Sequence, residues 1–210
     1  MVALVGRNGA GKTTLMRHLV AEPGLRVDGN LELNGQDLNA LTDRFASGIM
    51  AWLPQQKLPI FDATALQIVL AGRYRHKHFW QGYSPEDTSY CLRLMADCGI
   101  GHLANVPMIK LSGGEQQLVW LAQVAAQDAE LILLDEPTQQ LDLHNKRLVM
   151  DIISRWAKVG KLVLFSTHDL YLLPSYDCHV LYLNGEESLF APATDTMVKM
   201  VSERIERRND

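Results

Sequence analysis

Short apolar runs alternate along the chain with segments whose apolar residues recur at helical spacing. Residues 2–5, 131–134 and 162–165 are unbroken apolar runs, which are typical of strands buried on both faces of a sheet. Helical spacing is clear between the last two runs, for example at Leu148 and Ile152. Strands that alternate with helices predict an α/β fold with a mainly parallel sheet.

Two segments depart from this alternation. Between Gly24 and Leu38, Val27 and residues 30–35 alternate between apolar and polar and end in the Asn-Gly turn signal at 34–35, which predicts a small antiparallel excursion. Residues 59–110 show helical spacing, with a helix start at 84–87 and a stop at Gly99, and predict an inserted helical subdomain. We therefore expect one domain, described by three ranges: a core in residues 1–58 and 111–210, and a helical subdomain in residues 59–110.

The composition is that of a globular protein with a large core. Of 210 residues, 47% are apolar and 21% are charged, and the formal net charge is −4. A negative chain has no general attraction to DNA, RNA or anionic lipid, so we expect no nucleic-acid partner. No apolar stretch is long enough for a membrane helix, and the opening run is too short for a signal peptide, so we expect a cytoplasmic chain. Three cysteines without CxxC spacing indicate neither a disulfide framework nor a zinc site.

A glycine-rich turn follows the first apolar run. Residues 6–13 match G-x-x-x-x-G-K-[ST] between a predicted strand and a predicted helix, the context of a phosphate-binding P-loop. Backbone N–H groups would face the phosphates, Lys12 would supply a positive charge, and the Thr13 hydroxyl would ligate Mg²⁺. The alternative is a glycine turn with a surface lysine. The candidate phosphate-binding residues of this turn are Gly6, Asn8, Gly9, Gly11, Lys12, Thr13 and Thr14.

Two adjacent carboxylates end the second apolar run. Asp135 and Glu136 stand where the strands of an open parallel sheet assemble ligand sites. Asp135 would hold Mg²⁺, and Glu136, on the opposite side of the pleat, would orient or deprotonate the attacking water. The alternative is a helix N-terminus, which favours acidic residues followed by a proline such as Pro137.

Two further polar residues follow apolar runs. His168 comes after the run at 162–165, where an imidazole would hydrogen-bond the γ-phosphate or the attacking water. Gln55 lies in a predicted loop from which its amide would reach Mg²⁺ or water. Taken alone, a single histidine is usually structural, and a single glutamine indicates nothing.

A second glycine-rich turn, at residues 111–117, also leads into a predicted helix. One nucleotide does not need two phosphate sites, which suggests a head-to-tail dimer in which Ser112 and Gly114 close over the γ-phosphate held by Lys12 of the other copy. The alternative is a plain helix cap, since Glu115 stands three residues after Ser112 in a capping-box arrangement.

Taken together, these motifs resemble those of the ATP-binding cassette (ABC) family, and the resemblance covers essentially the whole chain. The motifs are, in order, Walker A at 6–13, the Q-loop at Gln55, the helical subdomain, the signature at 111–115, Walker B at 131–135, the catalytic Glu136, the D-loop at 140–142 and the switch His168. The resemblance implies a P-loop NTPase core and an ATPase subunit that dimerises around two Mg-ATP and drives an integral membrane permease. It places the subunit on the inner face of the cell membrane, with a substrate-binding protein as an indirect partner. The residues that would complete the opposite ATP site are Ser112, Gly113, Gly114, Glu115 and Asp142.

A finer resemblance is to the branch that serves importers of metal chelates, namely iron-siderophore, haem or vitamin B12. Residues 71–73 (Ala-Gly-Arg) and 84–87 (Ser-Pro-Glu-Asp) are similar to that branch. The same residues are also ordinary choices for loops and helix caps.

The chain departs from the family pattern in three places. The N-terminal antiparallel strands, with the aromatic residue that stacks on adenine, are missing, from which we expect a truncated chain or a misplaced start codon. Stacking contributes roughly 1–3 kcal/mol, so ATP binding should be about 5- to 150-fold weaker than in an extended version. Leu118 replaces a common arginine, and Gln139-Gln140 replace small residues, both at the expected dimer seam.

Two other classes share these motifs. ATPases of DNA repair or chromosome maintenance separate the two halves by a long coiled coil, whereas only a short helical segment intervenes here. Ribosome-acting ABC proteins are expected to carry two cassettes in one chain, and this chain has one. The sequence therefore favours a transporter subunit.

Overall fold

The structure is a computed structural model, and it describes residues 1–22, 29–41, 43–55, 62–76, 82–185 and 188–206. Strands and helices alternate along the described ranges, joined by turns and short 3-10 helices. In chain order they are β1 (Val2–Gly6), α1 (Lys12–Leu19), β2 (Glu32–Leu33), β3 (Gln36–Asp37), β4 (Met50–Leu53), α2 (Ala65–Ala71), α3 (Pro85–Asp97), α4 (Gly113–Ala126), β5 (Leu131–Leu134), α5 (Leu143–Lys158), β6 (Leu162–Ser166), β7 (His179–Leu183), β8 (Ser188–Pro192) and α6 (Asp195–Glu206).

One six-stranded sheet forms the centre of the fold. Its spatial order is β4-β5-β6-β1-β7-β8, and every neighbouring pair is parallel except β7 with β8. The continuous apolar runs are the interior strands, since all four residues of β5 are buried and β1 lies between β6 and β7. The predicted α/β fold with a mainly parallel sheet is confirmed.

The predicted antiparallel excursion is a two-residue hairpin. Glu32 pairs with Asp37 and Leu33 pairs with Gln36. Between them Asn34 and Gly35 both have positive φ, at 51° and 78°, as the central residues of a type I′ turn require. The hairpin is shorter than predicted, and the start of the predicted segment lies in 23–28, outside the described residues.

Two capping boxes start the helices of the inserted segment. Thr64 Oγ1 accepts the backbone N–H of Gln67, whose side chain in turn accepts the N–H of Thr64. Ser84 and Asp87 make the same pair of bonds at α3, which begins with a proline as the sequence predicted. Gly99, at φ +75°, follows the end of α3, so the predicted stop signal is also confirmed.

The helices α2 and α3 pack against α4, and α4 also packs against β4. Buried residues of the helices and of the sheet form one apolar cluster. The predicted boundary between residues 58 and 59 lies outside the described residues. The boundary at 110–111 precedes α4, which packs both against the helices of the inserted segment and against the sheet. The division into a core and a helical subdomain therefore stays an interpretation of the sequence.

The end of α2 comes into backbone contact with α4. A Cβ on Gly72 would lie 2.3 Å from the Gln123 carbonyl oxygen and 2.9 Å from Ala126 Cβ, so glycine permits this approach. Beside it the Arg73 guanidinium donates to Asp87 Oδ1 at 2.9 Å, and this bond holds the pKa of Asp87 below its ordinary value. Gly72 and Arg73, which belong to a segment that resembles the metal-chelate branch, thus contact α4 and Asp87 of α3.

A buried arginine that the sequence pattern did not reveal fixes the end of α1. The guanidinium of Arg44 donates to the carbonyl oxygens of Leu38, His18 and Leu19. The last carbonyls of a helix have no partner within the helix, so Arg44 both caps α1 and joins it to the segment after the hairpin.

Substitution of Gly72 by alanine should destabilise the fold. The added methyl group meets backbone and side-chain atoms that cannot move without separating α2 from α4, and overpacking of this kind costs about 1–3 kcal/mol. Urea unfolding followed by circular dichroism measures the change in free energy of unfolding. The matched control is Gly82→Ala, where no described atom lies within 4 Å of the added Cβ. Equal stability of the two variants would contradict the proposed contact.

Candidate functional site

The candidate residues come together because parallel strands end at the same edge of the sheet. β1 leads into the phosphate loop, β4 into Gln55, β5 into Asp135 and Glu136, and β6 into His168. The order of β4, β5, β6 and β1 in the sheet places these four segments side by side.

The phosphate loop leaves the N-terminus of α1 open. Gly9 and Gly11 have φ of +81° and +94°, a conformation that residues with a side chain adopt at a cost. Gly11 is the N-cap residue, and no side-chain hydrogen bond caps the helix. Asn8, Gly9 and Thr14 are exposed. The N–H groups of the first turn are therefore arranged as in an anion site.

Lys12 is the charged residue that this loop encloses. Only 7% of its surface is exposed, and its Nζ donates to the carbonyl oxygens of Gly6 at 2.8 Å and Arg7 at 3.0 Å. Burial lowers the pKa of Lys12, and the negative charges of Glu136 and Asp135 act in the opposite direction. The interpretation as a surface lysine on a glycine turn is thus wrong.

Asp135 is buried with one oxygen bonded and the other without a partner. Ser166 Oγ donates to Asp135 Oδ1 at 2.6 Å and accepts the Glu136 N–H at 2.8 Å. Among the described residues, none hydrogen-bonds Asp135 Oδ2, although this atom is inaccessible to solvent. A buried unpaired carboxylate oxygen is costly in an apolar setting but suits a cation, so the site fits Mg²⁺.

Glu136 lies between the other two predicted residues. Gln55 Nε2 donates to Glu136 Oε2 at 3.1 Å, and His168 Nε2 lies 3.2 Å from Glu136 Oε1. Gln55 Nε2 also lies 3.4 Å from Gln139 Oε1. Glu136 has φ of +51°, a left-handed conformation that is uncommon outside glycine. The sequence predicted all three residues, and the structure brings them into one cluster.

The signature turn is both a helix cap and an exposed surface. Ser112 Oγ and the Ser112 N–H donate to Glu115 Oε2, each at 2.7 Å, and the Glu115 N–H donates back to Ser112 Oγ at 3.3 Å. These bonds lower the pKa of Glu115. The capping-box alternative is therefore present in the structure. Because Ser112 and Gly113 are also exposed, the turn remains open to a second molecule.

The signature turn contacts the start of α5. A Cβ on Gly114 would lie 3.1 Å from Asn145 Nδ2 and 3.7 Å from Leu141 Cδ2. Asp142 caps α5, since its carboxylate accepts the backbone N–H of Asn145 at 2.8 Å and the side-chain amide at 3.2 Å. A contact between Asp142 and a nucleotide stays a prediction.

One of the two departures that were expected at the dimer seam was placed wrongly. Leu118, expected at a dimer seam, is 5% exposed and packs into the apolar cluster shared by the helices and the sheet. A buried leucine on α4 needs no partner, because the helix already covers it. Gln139 and Gln140 are exposed beside Glu136, and their place at a dimer seam stays a prediction.

Comparison with known proteins agrees with this geometry. The sequence profile of the ABC transporter family matches residues 1–139. The achromobactin transport ATP-binding protein CbrD of Dickeya dadantii is 33% identical over 94% of this chain and 76% of its own length. The hemin import ATP-binding protein HmuV of Roseobacter denitrificans is 34% identical over 90% of this chain and 72% of its own length. The chain belongs to the ABC transporter family.

A solved structure extends the likeness of this ABC chain to three dimensions. It is described as an inward-facing ABC transporter of metal-chelate type, and it matches with a TM-score of 0.77 at 28% identity, over 92% of this chain and 72% of that chain. As an ABC ATP-binding subunit, this chain is an ATPase. None of the helices in the described ranges is long and apolar enough to cross a membrane.

Sequence reasoning missed the side chains that hold this ABC site together. Ser166, which bonds Asp135 and the backbone of Glu136, stands in the predicted strand-end segment but has no motif of its own. Thr138 and Lys146 bond Asp169, the neighbour of His168. The sequence offered one signal for Ser166: a polar residue at the end of a buried strand can hydrogen-bond the end of a neighbouring strand.

Replacement of Ser166 by alanine should destabilise the protein by about 1–3 kcal/mol, because the buried Asp135 Oδ1 and the partly buried Glu136 N–H both lose a partner. The free energy of unfolding in urea measures the effect. Ser175→Ala, at an exposed position, serves as the control and should change it little. A Ser166→Ala protein as stable as the control would show that this bridge is dispensable.

Proposed function

We propose that this chain is the cytoplasmic ATP-hydrolysing subunit of an ABC importer for a metal chelate. The observation that carries the proposal is the position of Glu136. Its carboxylate is held by Gln55 on one side and faces His168 on the other, at the sheet edge where the phosphate loop begins. A carboxylate oriented in this way beside a phosphate site suits activation of water.

The phosphate loop would bind the nucleotide. Lys12 would leave the carbonyl oxygens of Gly6 and Arg7 and bind the outer phosphates, since a phosphate is the better partner for an enclosed ammonium. The N–H groups at the start of α1 would bind the same phosphates. The loop residues proposed to bind ATP are Gly6, Asn8, Gly9, Gly11, Lys12, Thr13 and Thr14.

Three residues would hold the metal ion that accompanies ATP. The Oδ2 atom of Asp135 is buried without a partner, Thr13 lies in the first turn of α1, and the amide of Gln55 lies above Glu136. When bound, Mg²⁺ neutralises phosphate charge. In this arrangement Ser166 keeps the Asp135 carboxylate oriented by its bond to Oδ1.

Hydrolysis would then depend on Glu136, His168 and Gln55. Glu136 would accept the proton of the attacking water, and His168 would hydrogen-bond the γ-phosphate once the nucleotide separates it from Glu136. Gln55 would move between Glu136 and the metal site, which lets a docked permease influence the reaction.

Two copies would complete the site by a head-to-tail arrangement. Ser112 and Gly113 are exposed at the N-terminus of a fourteen-residue helix, which is suited to an anion brought by another molecule. The Ser112 hydroxyl would turn from Glu115 to the γ-phosphate held by the partner copy. Gly114, Glu115 and Asp142 surround the turn and would contact that nucleotide or its loop.

The cargo class follows from the relatives named above, whose described roles are achromobactin transport and hemin import. We propose a siderophore, haem or cobalamin as cargo, delivered by a substrate-binding protein to a permease in the cell membrane. The subunit would lie on the inner face of that membrane.

Substitution of Glu136 by glutamine should retain ATP binding and lower turnover by about 100-fold or more, the usual contribution of a general base. The variant should also accumulate as an ATP-bound dimer, which light scattering in the presence of Mg-ATP detects. Glu86→Gln, at an exposed position of α3, removes one charge elsewhere and should behave as the parent. Unchanged turnover in Glu136→Gln would contradict the assignment.

Affinity capture of the tagged chain from detergent-solubilised membranes tests the transport role. We expect a polytopic permease to co-purify and ATP-dependent uptake of one labelled metal chelate to require the chain in cells. Uptake restored by the parent but not by Glu136→Gln links transport to hydrolysis. Co-purification of DNA or ribosomes in place of a permease would overturn the proposal.

A further inference from the structure

The carboxylate of Asp169, the neighbour of His168, is held at both oxygens. Lys146 Nζ donates to Oδ1 at 2.5 Å, and Thr138 Oγ1 donates to Oδ2 at 2.7 Å. The side chains of Lys146 and Asp169 are 21% and 15% exposed, so water screens this ion pair only in part. The bond with Asp169 raises the pKa of Lys146, which therefore stays charged.

Asp169 precedes a helix, and the carboxylate of an aspartate at that position usually accepts a backbone N–H from the helix. Asp169 is the N-cap of the 3-10 helix Leu170–Ser175, yet its side chain makes no capping hydrogen bond there. Instead the carboxylate turns toward Thr138 and Lys146. The Asp169 N–H donates to Thr167 Oγ1 at 2.9 Å, and the Thr167 N–H reaches the Leu4 carbonyl of β1. The segment 167–169 is thus fixed from several sides.

The three bonded residues belong to three functional segments. Thr138 lies two residues after Glu136, Lys146 lies four residues after Asp142 on α5, and Asp169 follows His168 directly. The Lys146–Asp169 pair therefore connects the start of α5, where Asp142 and the neighbouring Gly114 lie, to the residue whose ring faces Glu136.

We infer that Lys146 is a positioning residue for ATP hydrolysis: by holding Asp169, it fixes His168 against Glu136 and transmits displacements of the start of α5 to His168. The inference deepens the proposed function and rests on it. A partner nucleotide that shifts Asp142 or Gly114 would shift α5, and with it Lys146, Asp169 and the His168 ring.

The chain offers a control whose lysine is matched in exposure. Lys161 Nζ donates to Asp128 Oδ1 at 2.8 Å, and the lysine is 23% exposed, close to the 21% of Lys146, although Asp128 is 56% exposed. This second pair joins the segment before β5 to the segment before β6, at the opposite ends of those strands from the proposed site. Lys161→Met removes an ion pair without touching residues 167–169.

The test compares steady-state ATP hydrolysis by Lys146→Met, Lys146→Arg and Lys161→Met, each with and without His168→Ala. We expect Lys146→Met to lower kcat about 5- to 30-fold, as for a coupling lost between contacting residues, with KM for ATP within about twofold. Lys146→Arg keeps the charge and should recover most of the activity. In the His168→Ala background Lys146→Met should have little further effect, because its route to the reaction is already absent.

Several outcomes would overturn the inference. A fall in kcat of the same factor with and without His168→Ala would show that Lys146 acts by another route. An equal loss in Lys161→Met would make the effect one of stability, and thermal unfolding of every variant identifies that case. If Lys146→Met keeps normal turnover while His168→Ala is impaired, the positioning role of Lys146 is refuted and the proposed role of His168 stands. Unchanged turnover in His168→Ala would instead contradict the proposed function.

Discussion

The buried ammonium of Lys12 is the constraint on which the site depends. An enclosed positive charge is costly, and here it is offset by two backbone carbonyl oxygens and by the fields of Asp135 and Glu136. These carboxylates follow β5, whereas Lys12 follows β1, and β6 lies between the two strands. This strand order brings the groups together at one edge of the sheet. The electrostatics of the site therefore depend on the order of the strands.

The strand β6, which lies between β5 and β1, is part of the same arrangement. Ser166, at the end of β6, bonds the carboxylate of Asp135 and the backbone of Glu136, so β6 holds the two carboxylate residues that follow β5. His168 and Asp169 follow β6 along the chain. His168 contacts Glu136, and Asp169 contacts Lys146. One segment thus reaches the metal-binding candidate, the proposed base and the start of α5.

Local patterns predicted the elements and most of the candidate residues. Unbroken apolar runs predicted the parallel strands, the Asn-Gly pair predicted the hairpin, and the pattern around Lys12 predicted the phosphate loop. The sequence did not predict partners that lie far apart in the chain, such as Ser166 with Asp135 or Arg44 with the end of α1. Such pairs depend on strand order and on helix packing, which no local pattern contains. Leu118 was misplaced for a different reason, because it lies in an apolar stripe at helical spacing that is the covered face of the helix. The other members of this stripe are Leu121, Ala122 and Ala125.

The backbone conformation of Glu136 carries a cost for any residue with a side chain at this position. Its φ of +51° lies in a region that costs a residue with a Cβ roughly 1–2 kcal/mol, whereas glycine adopts it freely. A mutation to glycine would relax that strain and remove the carboxylate at the same time. A stable fold alone would favour glycine at this turn, whereas the proposed role in hydrolysis requires the carboxylate, so stability and the proposed activity place opposite demands on this position.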